Sequence, residues 1–160
     1  MRRNEKGTQI AELAVVLPLV VFLALIAGEG VGIVRAHQVI VNAAREGARI
    51  AVLEESKALV EDSTKTFIKD MATCYMVRNG LTPTASLPSS CSSGVDVSHL
   101  NCETYSATVD TSVSFNGGSM PGLKVQVTCG YRLSYLPNLS WFGVPSTVPL
   151  GASVVWRRFW

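Results

Sequence analysis

The sequence predicts an α+β architecture: a long N-terminal membrane-spanning helix, then a second amphipathic helix packed on a small antiparallel sheet. Three observations carry this. Residues 10–34 form an almost unbroken apolar run, a helical period recurs around residues 60–75, and from Tyr105 onward apolar side chains fall on every second position. A chain of 160 residues has room for one span and one small domain, since a domain commonly takes about 100–150 residues. The mean hydropathy of +0.28 and the 48% apolar content are high for a short soluble chain, and the apolar residues concentrate near the N-terminus.

The run from Ile10 to Val34 would make roughly 37 Å of helix, enough to cross a bilayer with some tilt. It carries Glu12 near one end, Pro18 inside and Glu29 near the other end. Pro18 removes a helix hydrogen bond and predicts a bend that neighbouring helices tolerate in membranes. The stretch Leu13 to Ala27 also has the length of a signal-peptide core, but Gly28-Glu29-Gly30 and more helix follow it, a weak cleavage site. Arg2, Arg3 and Lys6 precede the span, and Arg35, Arg45 and Arg49 follow it, so the positive-inside rule is nearly balanced. All four cysteines lie beyond the span, which favours an extracytoplasmic C-terminal part.

Helical spacing continues through Ala36, Ile40, Ala43, Gly47 and Ala51, so one long helix is expected to leave the membrane. A second helix is expected with Val60, Phe67, Met71, Cys74 and Tyr75 on its apolar side, and Asn79-Gly80 is a good stop. Residues 81–104, rich in Pro, Ser and Thr, read as a loop. Tyr105, Ala107, Val109, Thr111, Val113 and Phe115 then alternate with polar residues as a half-buried strand. A Gly-rich turn over residues 116–122 leads to Leu123, Val125, Val127, Cys129, Tyr131, Leu133 and Tyr135, which makes a hairpin. Residues 137–149 break the pattern, and Leu150, Ala152, Val154 and Trp156 resume it as a third strand. The second helix is expected to cover one face of this sheet.

Cys74, Cys91, Cys102 and Cys129 are expected as disulfides, because no pair has the spacing of a zinc site and His99 is the only nearby histidine. Cys74 shares the stripe of Phe67 and Met71, and Cys129 the face of Val125, Val127 and Tyr131, so both should enter the helix–sheet interface. The favoured pairing is therefore Cys74 with Cys129, leaving Cys91 with Cys102 to close the loop.

The formal charge of +2 sits largely in the first seven residues, and the rest is neutral, which gives no electrostatic case for nucleic acid. His37 and His99 have no sequence partner that suggests an activated nucleophile, and no hydrolase motif occurs, so neither enzyme nor cofactor is expected. Trp141, Phe142, Trp156, Phe159 and Trp160 form a candidate apolar docking patch or, more commonly for aromatics, part of a core or sheet edge.

The most specific signal is Gly7-Thr8-Gln9-Ile10-Ala11-Glu12-Leu13, after a short basic leader and before the apolar run. Here the chain resembles type IV pilin precursors. The resemblance implies that a prepilin peptidase cuts after Gly7, which makes Thr8 the first residue and Glu12 the fifth. Chemistry supports a partner for Glu12 independently: an ionised carboxylate in hydrocarbon costs about 2.5–3.5 kcal/mol on insertion scales, and the new amine of Thr8 lies at nearly the same depth. In pilins that amine comes from a neighbouring subunit, so the pair would set an assembly register. The alternative is a carboxylate resting in the headgroup zone at a helix N-terminus, where the dipole favours it.

The stretch Glu12-Leu13-Ala14-Val15-Val16-Leu17-Pro18-Leu19, then Gly28-Glu29-Gly30, then Asn42-Ala43-Ala44-Arg45-Glu46-Gly47-Ala48-Arg49, is similar to the TadE-like family of tight-adherence, Flp-type pilus systems. The similarity spans residues 7–49. It implies a pilin-like pseudopilin or minor pilin that builds or primes the pilus, with prepilin peptidase, other pilin subunits and the inner-membrane assembly platform as partners. It also implies residence in the bacterial inner membrane, as a single-pass protein with an extracytoplasmic C-terminal domain, and leaves open whether the chain enters the surface pilus after assembly or only primes it. Independently, Gly28, Gly32 and Ala36, then Ala44, Gly47 and Ala48, are small residues at spacings that let helices approach closely. The expected organisation is a leader over 1–7, a transmembrane and continuing helix over 8–53, and an extracytoplasmic α+β domain over 54–160. The rival readings are an uncut membrane-tethered domain that binds a sugar or protein through residues 81–104, and a secreted enzyme with an unrecognised site.

Overall fold

The computed structural model describes residues 5–53, 62–84, 87–91, 100–111, 113, 122–134, 143 and 145–157. Val60, His99, Trp141, Phe142, Phe159 and Trp160 lie outside them.

Helix α1, Glu5–Leu53, is a single element of 49 residues that runs through Pro18, roughly 73 Å at 1.5 Å per residue. Its two halves have opposite environments. Residues 12–27 are exposed throughout, although they are almost wholly apolar, whereas Ala36, Ile40, Ala43, Ala44, Gly47, Ala48 and Ala51 are buried. The helix is long and apolar enough to span a membrane.

Helix α2, Asp62–Arg78, packs against the C-terminal half of α1. Its end is closed by Gly80 at φ 79°, with Gly80 N–H donating to Val77 C=O and Leu81 N–H to Met76 C=O. This is the paired-bond cap that a left-handed glycine allows. The buried Leu81 then joins Met76 in the core.

The buried row of α2 is Thr64, Ile68, Ala72 and Met76, with Thr73, Cys74 and Val77 beside it. That corrects the stripe read from Phe67 and Met71: Phe67 is 46% exposed and Met71 only partly buried. Two small residues in the row, Thr64 and Ala72, carry little hydrophobic signal, yet they let α2 lie close to the alanine face of α1.

The sheet has four strands in the order β1-β2-β3-β4: β1 Thr82–Pro83, β2 Leu100–Asp110, β3 Gly122–Arg132 and β4 Thr147–Arg157. Strands β2, β3 and β4 are antiparallel, and β1 adds parallel to β2, so the expected antiparallel sheet is mixed at one edge. The region 81–104 is therefore not all loop, and it also holds a 3-10 turn at Ser89–Cys91. Strand β4 begins at Thr147 and passes through Pro149, ahead of the start expected at Leu150. Proline is tolerated there because β4 is an edge strand.

The expected facing holds along β3, where Leu123, Val125, Val127, Cys129 and Tyr131 are buried, and along β4, where Leu150, Ala152 and Val154 are partly buried. Both helices cover this face. Helix α1 packs on β3 and β4, while α2 lies on β2, in place of a single covering helix. The other face presents exposed Ser106, Thr108, Gly151 and Ser153.

Candidate membrane and assembly site

Gly7 and Thr8 fall within α1, so the bond proposed for cleavage lies in a helical segment continuous with the apolar run. Glu12 is exposed, in company with exposed Leu13, Val15, Val16 and Leu17. Exposure of this many large apolar side chains in sequence is costly in water, at about 25 cal/mol for each Å2 left uncovered. The surface suits hydrocarbon or other apolar helices. Glu29 is different, because it is only 4% exposed at the point where α1 enters the globular part.

The small residues of α1 are placed unevenly. Ala36, Ala44, Gly47 and Ala48 are buried within the chain, and Gly28 and Gly32 are partly buried. A Cβ at residue 47 would stand 3.1 Å from Val125 and 3.3 Å from Ala72, and one at residue 32 would stand 2.8 Å from the Tyr131 hydroxyl. Close approach here serves α1 against its own domain.

The cysteines form Cys74–Cys91 and Cys102–Cys129, with Cα separations of 5.1 and 5.5 Å. The expected pairing of Cys74 with Cys129 and Cys91 with Cys102 is thus overturned. Cys74 follows Ala72 by two residues, roughly 200° around a helix of 3.6 residues per turn, so it points away from the Ala72 row. The Ser89–Cys91 turn covers it there, with Cys91 Sγ 3.7 Å from Asp70 C=O. Cys102 reaches the core by a different device. The β2–β3 register shifts between Cys102 and Tyr105, from the pair Cys102↔Tyr131 to the pair Tyr105↔Cys129. Such a bulge reverses the facing of residues on one side of it. Cys102 is consequently buried along with the odd-numbered inward positions, and Glu103 faces out, 3.6 Å from Arg132.

Tyr105 of β2 shares a hydrogen bond with Thr73 of α2. Burial raises the Tyr105 pKa above its ordinary 10.0; the Thr73 bond pulls the other way and the nearby Asp70 adds to the rise. Among the described residues, no group of three or more His, Cys, Asp or Glu is arranged to hold a metal ion. His37 is exposed on α1, and Trp156 is 48% exposed on β4.

Residues 7–49 match the family model described as TadE-like protein. The N-terminal segment is similar to TadE-like proteins. No curated protein and no solved structure matches the chain. The TadE-like segment ends four residues before α1 does, so it contains both the exposed apolar half and most of the face that packs on the domain. Helix α2 and the sheet lie outside the match.

One feature at this junction carries no motif. A cavity of ≈ 350 Å3 is lined by Gly32 and Arg35 of α1, the Asn79–Gly80 turn, Asn101, Tyr131 and Ser134. The helix stop at Asn79-Gly80 was legible in the sequence, but the meeting of these residues depends on how α1 crosses the sheet.

Proposed function

We propose that the chain is a minor pilin or pseudopilin that takes part in assembly or priming of a tight-adherence type IV pilus, through subunit association of α1. The observation that carries this reading is the exposed apolar half of α1, opened by Glu12 five residues after Gly7, inside the TadE-like match. A prepilin peptidase removes residues 1–7. Residues 8–53 anchor the chain in the bacterial inner membrane, and residues 54–160 form the extracytoplasmic domain. Glu12 accepts the Thr8 amine of a neighbouring subunit as its counter-ion, which sets the stagger between helices. The pilin subunits and the inner-membrane assembly platform are the partners.

Two disulfides support an oxidising location for the domain, because such bonds persist outside the cytoplasm. N-terminal sequencing of the mature protein from a host with a prepilin peptidase tests the proposal. Thr8 is expected. Met1 would favour an uncut tethered binding domain, and a start after residue 27 would favour secretion. Gly7→Leu should leave the leader in place and give a precursor heavier by seven residues.

A further inference from the structure

The junction cavity has the position and chemistry of a lipid headgroup site, an inference that rests on α1 spanning the membrane. From Glu12 to Arg35 the helix rises roughly 35 Å, against a hydrocarbon core of about 30 Å and about 40–45 Å with headgroups. With Glu12 at one boundary, Arg35 stands at the phosphate level of the other. The cavity opens at that height.

Its lining mixes polar residues with the aliphatic Val31, Val39 and Leu81, and holds one cation. Arg35 is exposed and supplies a guanidinium, whose fork of donors matches phosphate oxygens. Asn101 donates from Nδ2 to Gly80 C=O at 3.1 Å, but its Oδ1 is buried and accepts no hydrogen bond from any described residue. A buried acceptor left in this way is costly, and a small turn of the Asn101 side chain toward an N–H or O–H donor brought into the cavity would relieve it. The Tyr131 hydroxyl, held against Gly32, and Ser134 add further polar contacts. A volume of ≈ 350 Å3 is at the small end of ligand pockets and suits a headgroup without its chains. Val31 also lines the cavity and is 71% exposed, continuous with the exposed Ile26 and Phe22. That continuity selects a lipid over a free phosphate, because acyl chains would follow the apolar helix downward. The buried Glu29 is not among the lining residues.

We propose that this cavity binds the headgroup of one glycerophospholipid, with Arg35 on the phosphate and Asn101 Oδ1 accepting from the hydroxyl or ammonium of the headgroup. The bound lipid fixes the height of the domain above the bilayer before the subunit is extracted into an assembly.

Native mass spectrometry of the full chain in dodecyl maltoside, titrated with phosphatidylglycerol, tests this. Wild-type protein should retain one lipid, and Arg35→Gln should weaken retention about tenfold, as loss of one charge-assisted contact predicts. Arg35→Lys should keep part of the affinity, and Arg45→Gln, remote from the cavity, should keep all of it. Equal retention by Arg35→Gln and wild type would overturn the site. So would equal retention of diacylglycerol, which has no phosphate, or full displacement by millimolar inorganic phosphate, which would make the ligand a soluble anion. Resistance of the wild-type chain to alkaline carbonate extraction is measured separately. Its failure would remove the membrane anchor itself, whereas insertion with unchanged Arg35→Gln retention removes only the headgroup site.

Discussion

Gly47 of α1 lies against Val125 of β3, so closely that a Cβ on residue 47 would come within 3.1 Å of Val125 Cγ1. Ala72 and Ile68 of α2 close the same spot, at 3.3 and 3.8 Å, which makes it the meeting point of both helices and the sheet. Glycine inside a helix normally costs up to about 1 kcal/mol relative to alanine, and here the close packing offsets that cost.

Gly47→Val is expected to destabilise the domain by about 1–3 kcal/mol, because Ala72 Cβ and the branched side chains of Val125 and Ile68 cannot all yield. Gly30→Ala, with nothing within 4 Å of the added Cβ, should be neutral or slightly stabilising. Urea unfolding of the detergent-solubilised chain, followed by circular dichroism, measures both. A Gly47→Val protein as stable as wild type would mean that α1 is not seated on β3 in this way.

Non-reducing peptide mapping should yield Cys74 linked to Cys91 and Cys102 linked to Cys129. The enclosed separations of 17 and 27 residues give about 3 and about 3.5 kcal/mol in the chain-entropy treatment. The two double alanine variants should therefore lose similar stability. A peptide joining Cys74 to Cys129 would contradict both the rotation of α2 and the β2 bulge.

Tyr105 sets a limit on alkaline stability. Its folded pKa lies above 10.0, principally through burial. In the unfolded chain a tyrosine ionises near 10, so the folded form is favoured only while the phenol is neutral. This contribution is fully present below about pH 10 and is lost as pH rises through the raised folded value. Tyr105→Phe should flatten the alkaline decline and remove a component of the phenolate absorbance that titrates above pH 10. An unchanged titration would show that Tyr105 is not buried against Thr73.

Glu12→Ala should insert into the membrane as well as wild type or better, since it removes a charge that costs about 2.5–3.5 kcal/mol to insert. Under the proposed register role it should co-purify less with other pilus subunits, because the Thr8 amine would lose its partner. Co-purification at the wild-type level would end that role and leave the anchor untouched.

The sequence by itself determined what depends on periodicity and local chemistry. The apolar run of α1, its continuation through Ala36, Ile40, Ala43 and Ala51, the Asn79-Gly80 stop, and the inward face of β3 all follow from spacing that survives any packing arrangement. The TadE-like segment is likewise local, since residues 7–49 lie on one helix. Tertiary structure decided what depends on neighbours. The buried row of α2 passes through Thr64 and Ala72, residues with little hydrophobic signal, because the alanine face of α1 accepts small side chains closely. A bulge before Tyr105 turned Cys102 inward, and a covering turn buried Cys74 on the far side of α2, so the disulfides could not be read by extending either period. The junction cavity has the same origin: Arg35, Asn79, Asn101 and Tyr131 are distant in sequence, and only the crossing of α1 over the end of the sheet brings them to one wall. Periodicity reports which side of an element is apolar, while the partner that covers each side is fixed by shape, and shape is a property of the assembled layers.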